Sequence, residues 1–249
     1  MFTALTQPWQ RTWLIALLVL WAVLLFGGFV FGRPDARGRR MPRWTRIASS
    51  VVLLVAGWSW YAFSRETAAA GYARLIALGM TSGFLGDLAM AGLIPGGRNI
   101  IAGAAGFGVG HLFYITAMLR YGAAIGWSGS LRWLVLALWL LAATVSWYVI
   151  VPRTTRLAGK EMGTLHWVTL PYSLLLATSA GLGSALALAN GQMVLLAIGT
   201  ALFLISDLLI AGELFGCFWF PLIDDAIWLT YGPGQMLIVY SVATVLARG

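Results

Sequence analysis

"GFLGDLAMAG", residues 83–92, sets an aspartate, Asp87, inside an apolar run of helix-forming length. If that run crosses a bilayer, the acid is costly to bury and must have a partner or a task. A second run, "LFLISDLLIAGELFG" at 202–216, places Asp207 in nearly the same context. The segments "GDLAMAG" (86–92) and "SDLLIAG" (206–212) both read small-Asp-Leu-x-x-Ala-Gly, separated by close to half the chain. Deciding what surrounds these two acids decides the fold.

Of the 249 residues, 60% are hydrophobic and only 10% charged. Soluble domains carry about 25% charged residues, so the composition is that of an integral membrane protein. A hydrocarbon core of about 30 Å takes roughly 20 apolar residues per helix. Eight segments qualify, at about 12–32, 46–63, 72–92, 99–119, 132–151, 165–188, 192–212 and 225–246. The expected architecture is all-α and polytopic, one transmembrane helical domain over 1–249 with eight spans. Asp87 and Asp207 fall on the third and seventh spans. An even offset gives both helices the same direction, so both acids enter from one membrane face at similar depth. Two four-helix halves in parallel repeat would produce this pattern, and would bring the two carboxyls close enough to couple across the bundle.

The net charge of +8 does not point to nucleic acid, because it is concentrated in particular loops. Arg33, Arg37, Arg39, Arg40, Arg43 and Arg46 lie in the first connection, and Arg153, Arg156 and Lys160 in the fifth. With Arg98 they make ten of the sixteen basic residues, all on one side of an eight-span chain. The positive-inside rule makes that side cytoplasmic, so the Arg-rich loop 33–46 is expected inside and both termini outside a cell (inner) membrane. The same charge favours anionic headgroups. The first span exceeds a signal-peptide core and has no A-x-A-like site after it, so it is read as a retained helix. Cys217 is the single cysteine, which excludes intramolecular disulfides and cysteine metal clusters.

Helical spacing aligns further polar groups with the two acids. Gly79, Gly83 and Asp87 recur at i, i+4, i+8, and small residues let helices approach closely in lipid, so Asp87 faces the bundle interior. Thr200, Phe203 and Asp207 share a face, as do His111 and Tyr114, and Asp224, Trp228, Tyr231 and Gln235 form one stripe. Asp224, Asp225 and Glu213 lie near a connection and read as solvated loop acids. His166 reads as a helix-start residue. "GAAGFGVG" (103–110) lacks the strand and Lys-Ser/Thr of a phosphate loop, so Gly106 and Gly110 are expected to pack helices. The thirteen tryptophans gather partly at span ends as an interfacial belt. Two histidines without HExxH or cysteine pairs give no zinc signature.

These motifs, taken in order, resemble a family. "GDLAMAG" followed by "FGVGHLFYI" (107–115) is similar to the Gly-Asp and Phe-x-x-x-His-x-x-Tyr-Ile core of the YhhN-like integral-membrane lysoplasmalogenases. "LFLISDLLIA" (202–211) resembles their second motif, "YGPGQMLI" (231–238) their closing Tyr-x-x-x-Gln, and "LPYSLLL" (170–176) their sixth span. The resemblance runs from about 45 to 248. It departs at Thr45-Arg46-Ile47, where the family often has Thr-Lys-Pro; a cation is kept and a proline lost.

The resemblance implies hydrolysis of the vinyl ether of a lysophospholipid, giving a fatty aldehyde and a glycerophospho-alcohol. A vinyl ether resists bases and nucleophiles but opens when acid protonates its β-carbon. The reaction therefore needs a neutral carboxylic acid, an anion for the oxocarbenium ion and a base for water. Asp87 and Asp207 are the expected catalytic pair. His111, Tyr114, Tyr231 and Gln235 are expected to bind substrate or orient water, Tyr172 comes with the sixth-span motif, and Arg46 or Arg98 would meet the phosphate. The scheme calls for no metal or cofactor. A proton-coupled transporter and a non-catalytic lipid-binding subunit are the alternatives. Few broken helices at matching positions speak for a transporter, Gly232-Pro233-Gly234 being the exception.

Overall fold

A computed structural model describes residue 5, residues 7–35 and residues 39–248; Arg37 of the basic loop lies outside the described residues. Among the described residues eight long helices follow one another: α1 (Pro8–Phe31), α2 (Arg43–Ser64), α3 (Ala70–Met90), α4 (Ile100–Ala124), α5 (Leu131–Leu157), α6 (Thr164–Ala189), α7 (Val194–Leu214) and α8 (Ile223–Tyr240). A short α9 (Val242–Leu246) follows, and no strand occurs among the described residues.

Six of these helices are long and apolar enough to cross a membrane. The two outside that set, α3 and α8, are 21 and 18 residues long and carry Asp87, Tyr231 and Gln235. Arg74 on α3 and the first-turn Asp224 and Asp225 on α8 lower their hydropathy together with these interior polar groups. The perimeter is apolar. Val19, Val23, Phe26 and Val30 on α1 are exposed, as are Leu134, Leu138, Leu141 and Val145 on α5. Exposed aliphatic stripes of this length belong against lipid, which solvates them better than water does.

Each helix packs mainly on its chain neighbours within α1–α4 and again within α5–α8. The halves meet where α4 contacts α6 and where α8 contacts α2 and α3. The tightest seam is α3 against α4. A Cβ at Gly106 would lie 2.8 Å from the Gly86 nitrogen, and one at Gly110 would lie 2.9 Å from the Gly79 oxygen. Only glycine permits that backbone approach.

Two features depart from the sequence reading. The fifth span continues beyond residue 151, because a π-helical turn at Val149–Arg153 takes up Pro152 and one more α turn follows at Thr154–Leu157. A proline supplies no N–H, and a wider turn lets the helix continue past it. Gly232-Pro233-Gly234 does not interrupt α8, which is continuous through Pro233.

Candidate active site

Asp87, near the end of α3, is 4% exposed. The Tyr231 hydroxyl on α8 donates to its Oδ2 at 2.9 Å, and the Ser50 hydroxyl on α2 also hydrogen-bonds the carboxyl. Behind Tyr231, the Gln235 Nε2 lies 3.5 Å from the phenol oxygen, and Gln235 Oε1 accepts from the Tyr114 hydroxyl at 2.9 Å. A chain Tyr114–Gln235–Tyr231–Asp87 thus joins α4, α8 and α3. Glycine makes room for it: a Cβ at Gly79 would clash with the edge of the Tyr114 ring, and one at Gly83 would lie 2.9 Å from Gln235 Nε2.

Asp207, half-buried on α7, accepts a short hydrogen bond from the Tyr172 hydroxyl on α6. Phe107, Phe203 and Tyr231 meet edge to face between the two acids' helices, with centroids 5.3 to 5.8 Å apart. This aromatic cluster fills the bundle so that the carboxyls meet cavity rather than packed core.

Two cavities adjoin here. The first, about 230 Å³, is polar and lined by Arg43, Arg46, Arg98, Glu213 and both Asp87 and Asp207. The second, about 100 Å³, is apolar and lies between α4, α5, α6 and α7, where Ile101, Val168, Leu176, Leu204 and Leu208 line it. Met90, Phe107, Asp207 and Ile210 line both. Asp207 therefore stands where the polar and apolar spaces meet, and Asp87 faces only the polar one.

Among the expected site residues, Asp87, Asp207, Tyr231 and Arg46 line the polar cavity and Tyr172 lines the apolar one. His111, Tyr114 and Gln235 line neither and stand behind the site. His111 is 1% exposed, its Nδ1 lies 2.8 Å from the Ser179 hydroxyl, and its ring meets Phe203 edge-on. Its buried Nε2 has no hydrogen-bond partner among the described residues. Arg46 lays its guanidinium 5.5 Å from the centre of the Trp228 ring.

The reading of Asp224 and Asp225 as solvated loop acids is corrected. Arg39 pairs with Asp224 at 2.8 Å, and Arg40 pairs with Asp225 at 2.7 Å while its backbone N–H donates to the same carboxylate. These contacts strap the first connection to the start of α8 and leave Asp225 2% exposed. His166 sits at a helix start as expected, its Nδ1 accepting from the Gly163 N–H. Sequence reasoning missed Ser50, although its i, i+4 spacing from Arg46 was a usable signal. Among the described residues no group of three His, Cys, Asp or Glu side chains converges to hold a metal.

Fold and site together define a polytopic helical membrane protein with two carboxyls on a basic cavity, one of them, Asp207, where that cavity meets an apolar one. The chain belongs to the YhhN family, which it matches over residues 41–242. No curated protein and no solved structure matches it.

Proposed function

We propose that this protein is a membrane-embedded hydrolase that cleaves the vinyl ether of lysoplasmalogen, with Asp87 and Asp207 as its catalytic pair. The observation that carries the reading is the junction at Asp207. A single-chain lysophospholipid has a charged phosphodiester at one end and an alkenyl chain at the other, and the vinyl ether lies between them. The basic cavity suits the head, the apolar groove suits the chain, and the reactive bond then falls beside the carboxyls.

The division of labour follows from the same placement. The β-carbon that must gain a proton lies on the chain side of the ether oxygen, which is the side Asp207 faces. Asp207 is the proton donor, with the Tyr172 phenol holding the oxygen that does not carry the proton. Asp87 accepts hydrogen bonds from Tyr231 and Ser50 and shares its cavity with Arg46, surroundings that suit an anion. Asp87 stabilises the oxocarbenium ion and takes a proton from the water that adds to the α-carbon. The hemiacetal then collapses as the ionised Asp207 takes its hydroxyl proton and the protonated Asp87 gives a proton to the leaving glycerol oxygen; aldehyde and free glycerol hydroxyl result, both acids return to their starting states, and one water is consumed per bond broken. Lipid enters from the leaflet at the Arg-rich end, which is the cytoplasmic one.

Purified protein incubated with lysoplasmalogen should release fatty aldehyde. Asp87→Asn and Asp207→Asn should each lower that release by at least about a hundredfold, the low end of what general acid–base groups contribute. No aldehyde from the unaltered protein, or near-normal release from both variants, sinks the reading.

A further inference from the structure

Glu213, on the last turn of α7, lines the polar cavity. Its neighbour in that lining, Asp224, is taken by Arg39 at 2.8 Å. The Glu213 side chain is half-buried and has no ion pair or hydrogen bond among the described residues. Among the described residues, Arg43, Arg46 and Arg98 face the same space and form no salt bridge. A cavity meant only for phosphate gains nothing from a free carboxylate beside it, since like charges repel in a space that water screens poorly. Asp87 and Asp207 are held by the Tyr231 and Tyr172 hydroxyls and assigned to the reaction, so Glu213 is the carboxylate left for the head, and beside these arginines it complements a zwitterion instead.

We propose that Glu213 is the head-group specificity residue, binding the primary ammonium of an ethanolamine-bearing lysolipid while the arginines hold its phosphate. The inference rests on the reading of this cavity as the lysophospholipid head site and names the head group within it. Two features favour a primary ammonium over choline. A carboxylate rewards N–H donors, which a quaternary ammonium lacks. A quaternary ammonium needs open aromatic faces, and those at hand are engaged. Arg46 covers Trp228, and Trp228 and Phe107 each meet Tyr231 edge to face.

The spacing agrees. Glu213 lies six residues beyond Asp207 on one helix, a rise of about 9 Å. That is close to the reach from the ether oxygen to the amine nitrogen in an extended glycerophosphoethanolamine. With the vinyl ether at Asp207, the ammonium arrives near the last turn of α7.

Binding can be measured with saturated ether analogues, which no vinyl-ether hydrolase can cleave. The full-length protein in detergent is titrated with 1-O-alkyl-glycerophosphoethanolamine, its choline counterpart and 1-O-alkyl-glycerol 3-phosphate, which has no amine. The ethanolamine ligand should bind roughly tenfold tighter than the choline ligand, the ratio that about 1.4 kcal/mol supplies. Glu213→Gln should bring the two within about twofold of each other, leave the amine-free ligand as tight or tighter, and melt at an unchanged temperature. Glu213→Asp should keep part of the preference. Equal binding of both amines by the unaltered protein, or an unchanged or uniformly weakened set in Glu213→Gln, overturns the assignment. A parallel aldehyde assay separates the two claims. Ethanolamine preference without aldehyde release retires the hydrolase and keeps the amine subsite; release without preference does the reverse.

Discussion

An aspartate in an apolar helix is conspicuous because every other residue near it is cheap to bury. That contrast made Asp87 and Asp207 legible in the sequence, and helical spacing made Tyr231 and Gln235 legible after them. Ser50 and Glu213 were not, for two different reasons. A serine in a membrane helix is ordinary, since its hydroxyl can bond its own backbone. A glutamate at a helix end is usually solvated, and nothing in the sequence says that its neighbour Asp224 is already paired. Tyr231 offers the sharpest test at this scale. Its hydroxyl is the 2.9 Å donor to Asp87 and also the end of the Tyr114–Gln235 chain. Tyr231→Phe keeps the ring and its edge-to-face neighbours and deletes only the donor. A hydrogen bond to a charged group contributes about 1.5–3 kcal/mol, so aldehyde release should fall by roughly ten- to a hundredfold. Gln235→Leu should cost less, because it acts through Tyr231. A Gln235→Leu loss larger than that of Tyr231→Phe would show that the chain does not run through the phenol.

Individual helices were readable in proportion to their uniformity. The eight apolar runs were plain, and the glycines of "GAAGFGVG" read correctly as packing rather than as a phosphate loop, since Gly106 and Gly110 touch the α3 backbone. Local exceptions were harder. The fifth span was expected to end at about 151, yet the chain widens into a π turn around Pro152 and goes on. The Arg39–Asp224 and Arg40–Asp225 pairs link residues 185 apart in sequence, beyond any local pattern. The α3–α4 seam makes a prediction of its own. Gly106→Ala would drive a methyl toward backbone atoms of Gly86 and Ser82, which cannot rotate away as a side chain could. Overpacking of that kind costs about 1–3 kcal/mol. The purified variant should melt several degrees lower in detergent, whereas Gly71→Ala, where a Cβ meets nothing within 4 Å, should melt unchanged. Equal melting of the two variants would mean that the seam can open at little cost.

At the scale of the whole molecule, parity and charge work together. Two acids four spans apart must enter from one face, and the structure has both lining one cavity. Arg39, Arg43, Arg46 and Arg98 line that cavity, so under the proposed function the end that gathers positive charge would also be the end that admits substrate. If the positive-inside rule holds here, the Arg-rich end is cytoplasmic and the lipid comes from the inner leaflet. The protein carries its own probe of this orientation. Cys217, the single cysteine, lies in the connection from α7 to α8, and its N–H bonds back to Gly212 at that same end of the bundle. A membrane-impermeant maleimide should label Cys217 in inverted membrane vesicles and leave it unlabelled in intact cells, with detergent-opened cells labelling fully as the control. Labelling from the outside would reverse the bundle, and the phosphate-binding arginines would then draw lipid from the outer leaflet. The two outcomes predict different substrate pools for the proposed site, because the arginines expected to orient the helices also line the cavity proposed for the head group.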